Sequence, residues 1–181
     1  KKHPYRWATI GSMEHLDAAT LEEFQAFNKK FYIPNNAVLV VAGDFKKDQA
    51  KKWIAQYFGT IPKGAPIKRE QFIEEPITET IKARFEDNNI QIPAIVAAYR
   101  TPSMKTRDAR VLDLISSYLS DGKSSKLYKK IVDDKKIALQ VGAFSNSQED
   151  YGMYILYGLP MGQNSPTDIL KEIDEEITKL Q

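Results

Sequence analysis

Apolar and polar residues recur along the chain with two different periods. Near the start, the apolar positions fall every three or four residues, as on one face of a helix: Leu21, Phe24, Phe27 and Phe31. Thr20 and Glu23 form a T-x-x-E capping box that predicts where this helix begins. A second helix is predicted over residues 48–58. The continuous apolar run between the two helices, residues 37–42, predicts a buried strand.

The second part of the chain is predicted to contain four strands and three helices. The strands are expected at residues 77–86, 90–99, 138–145 and 151–159. Pro93 indicates an edge or a bulge in the second strand, because proline cannot donate to a ladder. The helices are expected at residues 107–119, at residues 125–133 and from the N-cap Ser165 onward. The predicted inward side chains are Val111, Leu114, Ile115 and Tyr118 on the first helix and Ile169, Ile173 and Ile177 on the last.

The order of these elements favours an α+β fold. Prolines and a glycine interrupt any periodicity in residues 60–76, which predicts a linker. Beyond it the strands come in adjacent pairs with helices between the pairs. This order favours a mostly antiparallel sheet packed against helices over a doubly wound parallel fold.

Composition excludes several classes of function. The 26 basic and 24 acidic residues are dispersed, so nothing indicates nucleic-acid binding. The chain has no cysteine and therefore no disulfide, thiolate zinc site or cysteine nucleophile. No apolar run reaches the ~18 residues that a membrane span requires. Because the sequence starts at Lys1 and stops within a helical pattern, we expect it to be an interior piece of a longer protein.

Three motifs resemble one family. The segment HPYRWATIG at residues 3–11 is similar to a conserved stretch of the pitrilysin/insulinase (M16) zinc metallopeptidases. YIPNNA at residues 32–37, followed by VVAGD at residues 40–44, looks like a second family motif, and DGKSSKLY at residues 121–128 resembles a third. They stand in family order, so the chain is identified as similar to the C-terminal, inactive-domain region of M16 proteins.

The resemblance implies a fold and partners. The expected fold is the LuxS/metalloprotease-like α/β sandwich. Residues 1–65 would end one M16 domain, residues 66–76 would be the linker, and residues 77–181 would begin the next domain. The implied partners are the remainder of its own chain, a second M16 half or subunit, and a peptide held in a clamshell chamber. By the same analogy the location would be the periplasm or cell envelope.

The resemblance also implies zinc in the parent protein. The family motif H-x-x-E-H and a distal Glu supply two imidazoles and a carboxylate, and a neighbouring Glu activates the water. In the family both lie N-terminal to the HPY stretch, so we expect neither a metal ligand nor a catalytic residue in this chain. Residues 11–15, GSMEH, have the same spacing with Gly11 in place of the first histidine. A degenerate zinc site, or one using both His3 and His15, remains the alternative to a solvent-facing loop.

Several other residues are candidates for chemistry. The positions that match a peptide-binding Arg and Tyr of the family are Val132 and Leu139, and neither side chain can donate those hydrogen bonds. Ser124, Ser125 and Lys126 permit a serine nucleophile with a lysine base, but helix capping by serine explains them more simply. The aromatic run at residues 151–158 permits a stacking surface, but a strand packed on a layer of helices explains it better. The remaining candidate for substrate binding is the aromatic and basic segment His3, Tyr5, Arg6 and Trp7.

These observations leave two functions from different classes. The parent protein is expected to be a zinc-dependent endopeptidase that degrades or processes peptides, with this piece inactive alone. The alternative is a non-catalytic M16 homologue that acts as a binding or scaffold subunit. The sequence upstream of Lys1 discriminates them, because only the enzyme requires H-x-x-E-H and its distal Glu.

We predict that the 181-residue chain binds no zinc and cleaves no peptide, because its two histidines are not arranged with carboxylates at metal-ligand spacing. Equilibrium dialysis against zinc and a fluorogenic peptide assay check this prediction. Proteolysis by the purified chain that a chelator abolishes would contradict it.

Overall fold

The computed structural model describes residues 2–180 and divides the chain into two compact units. The first is Lys1–Lys82 and the second is Ala83–Gln181. In the first unit the regular elements described are helices, whereas the second combines a sheet with helices. Together they form a mixed α/β structure with an antiparallel sheet, as the sequence predicts.

The first unit contains three α-helices, and side-chain capping marks the start of the first two. The three are α1 (Met13–Ala18), α2 (Leu21–Phe31) and α3 (Lys47–Phe58). The capping box of α2 is confirmed: the Glu23 backbone N–H donates to the Thr20 hydroxyl, and the Thr20 N–H donates to the Glu23 carboxylate at 2.9 Å. Helix α1 was not predicted, although Ser12 caps it by accepting from the backbone N–H of His15.

The predicted strand at residues 37–42 is wrong for this unit. The segment forms no strand, and Val38 exposes 91% of its surface. An apolar strand is stable only beside a neighbour that takes up its backbone hydrogen bonds, and residues 2–82 contain no other strand. The apolar faces of α2 and α3 are also open, with Phe24 and Trp53 largely exposed.

The second unit is built on a sheet of three strands in the order β1-β3-β2. The strands are β1 (Ile95–Thr101), β2 (Ala138–Asn146) and β3 (Gly152–Pro160). Both pairings are antiparallel, which confirms the predicted strand direction. Central strand β3 pairs its Leu156 with Ala97 of β1 and with Ala143 of β2.

The strand pair predicted before the first helix is largely absent. Residues 77–86 are not a strand, and Phe85 exposes 90% of its surface. The strand predicted at residues 90–99 begins only at Ile95, two residues after Pro93. Because proline has no N–H to donate, pairing starts only beyond it. The alternation of apolar and polar residues at 77–86 favours an extended backbone, but it does not provide a neighbouring strand with which that backbone can pair.

Helices cover one face of the sheet and form the core. They are α4 (Arg107–Ser120), a π-helical segment (Tyr128–Asp134) and α5 (Pro166–Thr178). Ser165 and Pro166 start α5 as predicted, and Ile169 and Ile173 are fully buried. The cluster of buried residues is Leu119, Leu127, Ile131, Ala138, Val141, Ala143, Tyr154, Leu156, Ile169 and Ile173.

The predicted inner face of α4 is correct at Ile115 but wrong at Leu114 and Tyr118. Leu119 and Ala109 are buried, and Leu112 and Ile115 pack against the core. Leu114 and Tyr118, predicted to face inward, are exposed instead. Both stripes have helical spacing, so periodicity alone does not choose between them.

The helix predicted at residues 125–133 is replaced mainly by the π-helical segment. The N–H of Lys135 donates to the carbonyl of Lys130, five residues earlier, at 3.0 Å. The wider turn keeps residues four and five positions apart on one side. Leu127 and Ile131 are therefore fully buried, and Val132 also packs against the core.

An ion-pair cluster ties the π-helical segment to α5. Lys130 Nζ lies 2.9 Å from Glu172, 2.9 Å from Glu175 and 3.1 Å from Glu176. Lys135 also pairs with Glu172, and Lys179 with Glu176. We refer to these six residues as the Lys130 cluster.

The Lys130 cluster shifts the proton affinities of its members. Burial alone would lower the pKa of Lys130, but hydrogen bonds to the three glutamates outweigh it and raise that pKa. The hydrogen bond from Lys135 lowers the pKa of Glu172, and the one from Lys179 lowers the pKa of Glu176. The charged forms of all three side chains are therefore favoured in the folded unit.

We predict that Leu119→Ala destabilises the second unit by about 2–5 kcal/mol, because it empties a fully buried site. Leu114→Ala on the same helix is the matched control and is expected to cost under about 0.5 kcal/mol, since Leu114 is 72% exposed. Urea unfolding followed through the amide protection of β3 measures both. A loss for Leu114→Ala as large as that for Leu119→Ala would contradict the inner face that the structure shows.

We predict that the second unit loses stability as the pH falls below the ordinary range of glutamate. Glu172 and Glu176 have lowered pKa values, so their contribution is complete above the unfolded pKa of ~4.3 and is lost as the pH falls through the folded values. Urea unfolding at pH 7, 5 and 3 tests this. The double variant Glu172→Gln, Glu176→Gln should show a shallower decline, and an unchanged slope would argue against the cluster as its source.

Candidate functional site

The HPY segment at the start of the chain is a turn anchored by a buried imidazole. Pro4–Arg6 forms a single 3₁₀ turn, and His3 caps it because its Nδ1 accepts from the Tyr5 backbone N–H at 3.2 Å. His3 is only 5% exposed and lies edge-on to the rings of Tyr5 and Phe72, at 4.2 and 6.0 Å between centroids. An Nδ1 that accepts this bond is not available as a metal ligand.

Glu74 holds the turn in place from a distant part of the same unit. Its Oε1 accepts from the backbone N–H groups of Lys2 and His3, at 2.5 and 2.6 Å. Hydrogen bonds to a carboxylate are stronger than neutral ones. The contact therefore fixes the direction in which the next residues leave the turn. Nothing in the spacing of the sequence predicts this pairing, since 71 positions separate His3 and Glu74.

Three side chains after His3 reach the surface together. The Arg6 guanidinium lies 4.4 Å from the centre of the Trp7 ring, in a cation–π arrangement. Trp7 is 58% exposed, and Tyr5 and Arg6 are exposed as well. The ring of His15 stands edge-on to Trp7 at 5.8 Å. We refer to Tyr5, Arg6, Trp7 and His15 as the Trp7 patch; the structure places His3 beneath it.

The Trp7 patch includes one residue that sequence reasoning assigned elsewhere. The sequence makes His15 a candidate only for metal binding, either in the motif at residues 11–15 or together with His3. In the structure Gly11 takes a positive φ of 77°, and Ser12 then caps α1, which carries Glu14 and His15 in its first turn. Within residues 2–180, no group of three or more His, Asp or Glu side chains could hold a metal ion.

The positions matched to a peptide-binding Arg and Tyr have different environments. Val132 packs against the core, whereas Leu139 is half exposed at an irregularity in β2, where the register shifts between Ala138 and Gln140. Such a bulge re-aims the side chain it carries.

The Ser-Ser-Lys segment does not form a nucleophile with its base. Lys126 Nζ lies 5.5 Å from the centre of the Tyr118 ring. Ser125 is buried, and its hydroxyl finds no hydrogen-bond partner within the described residues, so the predicted capping role is wrong. The segment instead turns at Gly122, whose φ is positive, and leads into the π-helical segment.

The aromatic run of β3 divides between two faces, as its alternation predicts. Tyr154 and Leu156 are buried against the helices, and Met153 is exposed on the other face. On this outer face the Tyr157 ring covers Gly142, where any Cβ would meet it at 2.5 Å. The Tyr157 hydroxyl also accepts from Gln140 at 2.9 Å. The outer face is thus an ordered apolar surface rather than a row of free rings.

Comparison with known proteins assigns the family. Residues 18–181 match the model of the peptidase M16 inactive domain. The chain belongs to the peptidase M16 family, in the part that this model describes as inactive. This confirms the resemblance carried by the three sequence motifs and accounts for the mixed α/β architecture.

The similar proteins are named as zinc proteases and are longer than this chain. A zinc protease of Helicobacter pylori, PqqE, is 27% identical over 84% of this chain and 35% of its own length. An uncharacterised zinc protease of Bacillus subtilis, YmxG, is 25% identical over 99% of this chain and 42% of its own length. The chain therefore spans about two fifths of these relatives.

Two solved structures support the same fold. The crystal structure of a protease from Helicobacter pylori matches with a TM-score of 0.74 and 25% identity, over 99% of this chain and 44% of that one. A peptidase M16 inactive domain from Pseudomonas fluorescens matches with a TM-score of 0.59 and 20% identity, over 87% of this chain and 38% of that one.

None of the helices within residues 2–180 has the length and hydrophobicity that a membrane-spanning helix requires.

Proposed function

We infer that this chain is a supporting part of a zinc-dependent M16 endopeptidase whose metal centre is formed by other residues of the parent protein. The single observation that carries this proposal is the match of residues 18–181 to the M16 inactive domain, in a chain whose similar proteins are named zinc proteases.

The domain organisation follows as part of this proposal. Residues 1–65 would complete one domain, and residues 77–181 would begin the next. Residues 66–76 would be the linker between them. The open apolar faces of α2 and α3, with the unpaired run at residues 37–42, support it because they are suited to a sheet and core contributed by the parent protein. The second unit already has its own core.

We propose the Trp7 patch as the substrate contact within this chain. An exposed tryptophan with a guanidinium over its ring offers apolar area and charge-assisted hydrogen bonding to an extended peptide. His3 would act from below by holding the turn, since it is buried and bonded to the Tyr5 backbone. The peptide class follows from the family, and the clamshell chamber, with its second M16 half or subunit, belongs to the same proposal.

A non-catalytic scaffold or binding subunit is the second candidate. Val132 and Leu139 favour it, because neither apolar side chain can hydrogen-bond a substrate backbone at the places that match the family's Arg and Tyr. The two candidates differ in the parent protein: the enzyme requires zinc and loses activity with a chelator, whereas the scaffold shows neither.

We predict that Trp7→Ala in the parent protein, assayed with its M16 partner, raises the KM for peptide cleavage about three- to tenfold and leaves kcat nearly unchanged. Losing an exposed aromatic contact weakens binding, and tenfold corresponds to about 1.4 kcal/mol. Tyr118→Ala is the matched control, because Tyr118 is similarly exposed but lies on α4 of the second unit, outside the patch.

Two outcomes of this assay would count against the proposals. Equal effects of Trp7→Ala and Tyr118→Ala would remove the Trp7 patch from substrate binding. Absence of any chelator-sensitive cleavage by the parent protein with its partner would favour the scaffold instead.

A further inference from the structure

The π-helical segment Tyr128–Asp134 is the least expected element of the second unit. A π-helix has five-residue hydrogen-bonded turns and is rare, because its wide turn packs less well than an α-helix. Such local conformations persist only where their surroundings over-determine them. The surroundings of this segment are a buried core on one side and charged groups of α5 on the other.

The core contacts alone do not choose between the two kinds of helix. Leu127 and Ile131 are fully buried, and residues four positions apart share a face in an α-helix as well as in a π-helix. The two residues next to Ile131 in sequence, Lys130 and Val132, do distinguish a π-helix from an α-helix. In the wider turn successive residues are rotated by a smaller angle, so Lys130 and Val132 both stay close to the packed side.

The charged groups that face Lys130 are held in fixed positions. Glu172, Glu175 and Glu176 project from α5, whose Ile169 and Ile173 are buried and anchor it on the sheet. The Lys130 side chain is only 19% exposed. Lys135 and Lys179 complete the cluster at its two ends, each bonded to one of the same glutamates.

We propose that the Lys130 cluster is a conformational lock that holds residues 128–134 in the π-helical register. Its release lets this segment rewind as an α-helix and turns Val132 away from the core. Lys130 draws its own turn toward α5, and the register that satisfies its three ion pairs is also the one that buries Val132. Two interactions therefore favour the π-helical register, the ion pairs of Lys130 and the packing of Val132, and breaking the ion pairs leaves only the packing.

The lock acts on the start of β2. The N–H of Ile137 donates to the carbonyl of Ile131, and the carbonyl of Ile137 accepts from Met161, so the segment enters the sheet in a defined register. The irregularity at Leu139 follows within two residues. Rewinding the segment changes the distance that residues 132–137 must span to reach β2, and the bulge is the place that can absorb the difference.

The test is to follow one hydrogen bond in variants of the chain by NMR. In the native chain the Lys135 N–H is bonded to the Lys130 carbonyl, and through-bond coupling identifies that acceptor. In Lys130→Met the acceptor is expected to become the Ile131 carbonyl, with at least a tenfold change in exchange of the Lys135 amide. Lys129→Met is the matched control, because the Lys129 side chain is exposed and outside the cluster.

A second variant breaks the ion pairs by removing the negative charges on α5. Glu172→Gln with Glu176→Gln leaves the sequence of the π-helical segment unchanged and should produce the same change of acceptor. Retention of the Lys130 acceptor in either variant would refute the lock. Loss of amide protection throughout β2 and β3 would also contradict it, since the lock predicts local rewinding within an intact sheet.

Discussion

Pairing of backbone hydrogen bonds decides which apolar segments of this chain become strands. The central strand β3 is bonded on both sides, and its inner face is covered by helices, so its alternating pattern becomes ordered structure. The run at residues 37–42 is at least as apolar but has no neighbour within residues 2–82, and it stays exposed. The same rule explains residues 77–86. In each case the amino acids favour an extended backbone, while the partner decides the outcome.

The sequence predicts elements well where the determining contacts are local. The capping box at Thr20 and the Ser165–Pro166 start of α5 depend on residues three or fewer positions apart, and both form as expected. The errors arise where distant groups decide. Leu114 and Leu119 both fit a helical stripe on α4, and only the position of the sheet selects Leu119. The π-helical register likewise depends on glutamates of α5, about forty positions away.

The candidate site also combines features that local sequence predicts with features that depend on distant contacts. The exposed side chains of the Trp7 patch could be named from an aromatic and basic segment, but the roles of its members could not. His3 is a buried anchor because Glu74 holds its backbone and Phe72 packs on its ring. His15 joins the patch because α1 folds back toward Trp7. Both contacts are tertiary and leave no spacing signal. The family, in contrast, could be predicted from short motifs that are readable without the fold, and the match of residues 18–181 confirms it.

The chain is thus one unit with its own core and one unit whose apolar faces remain open, which suits the proposed role as a supporting part of a longer M16 protein. The most direct measurement is amide hydrogen exchange at residues 37–42, in the 181-residue chain and in the parent protein that contains it. The account predicts rapid exchange in the isolated chain and strong protection in the parent protein, where a neighbouring strand would take up these hydrogen bonds. Equally rapid exchange in both would contradict it.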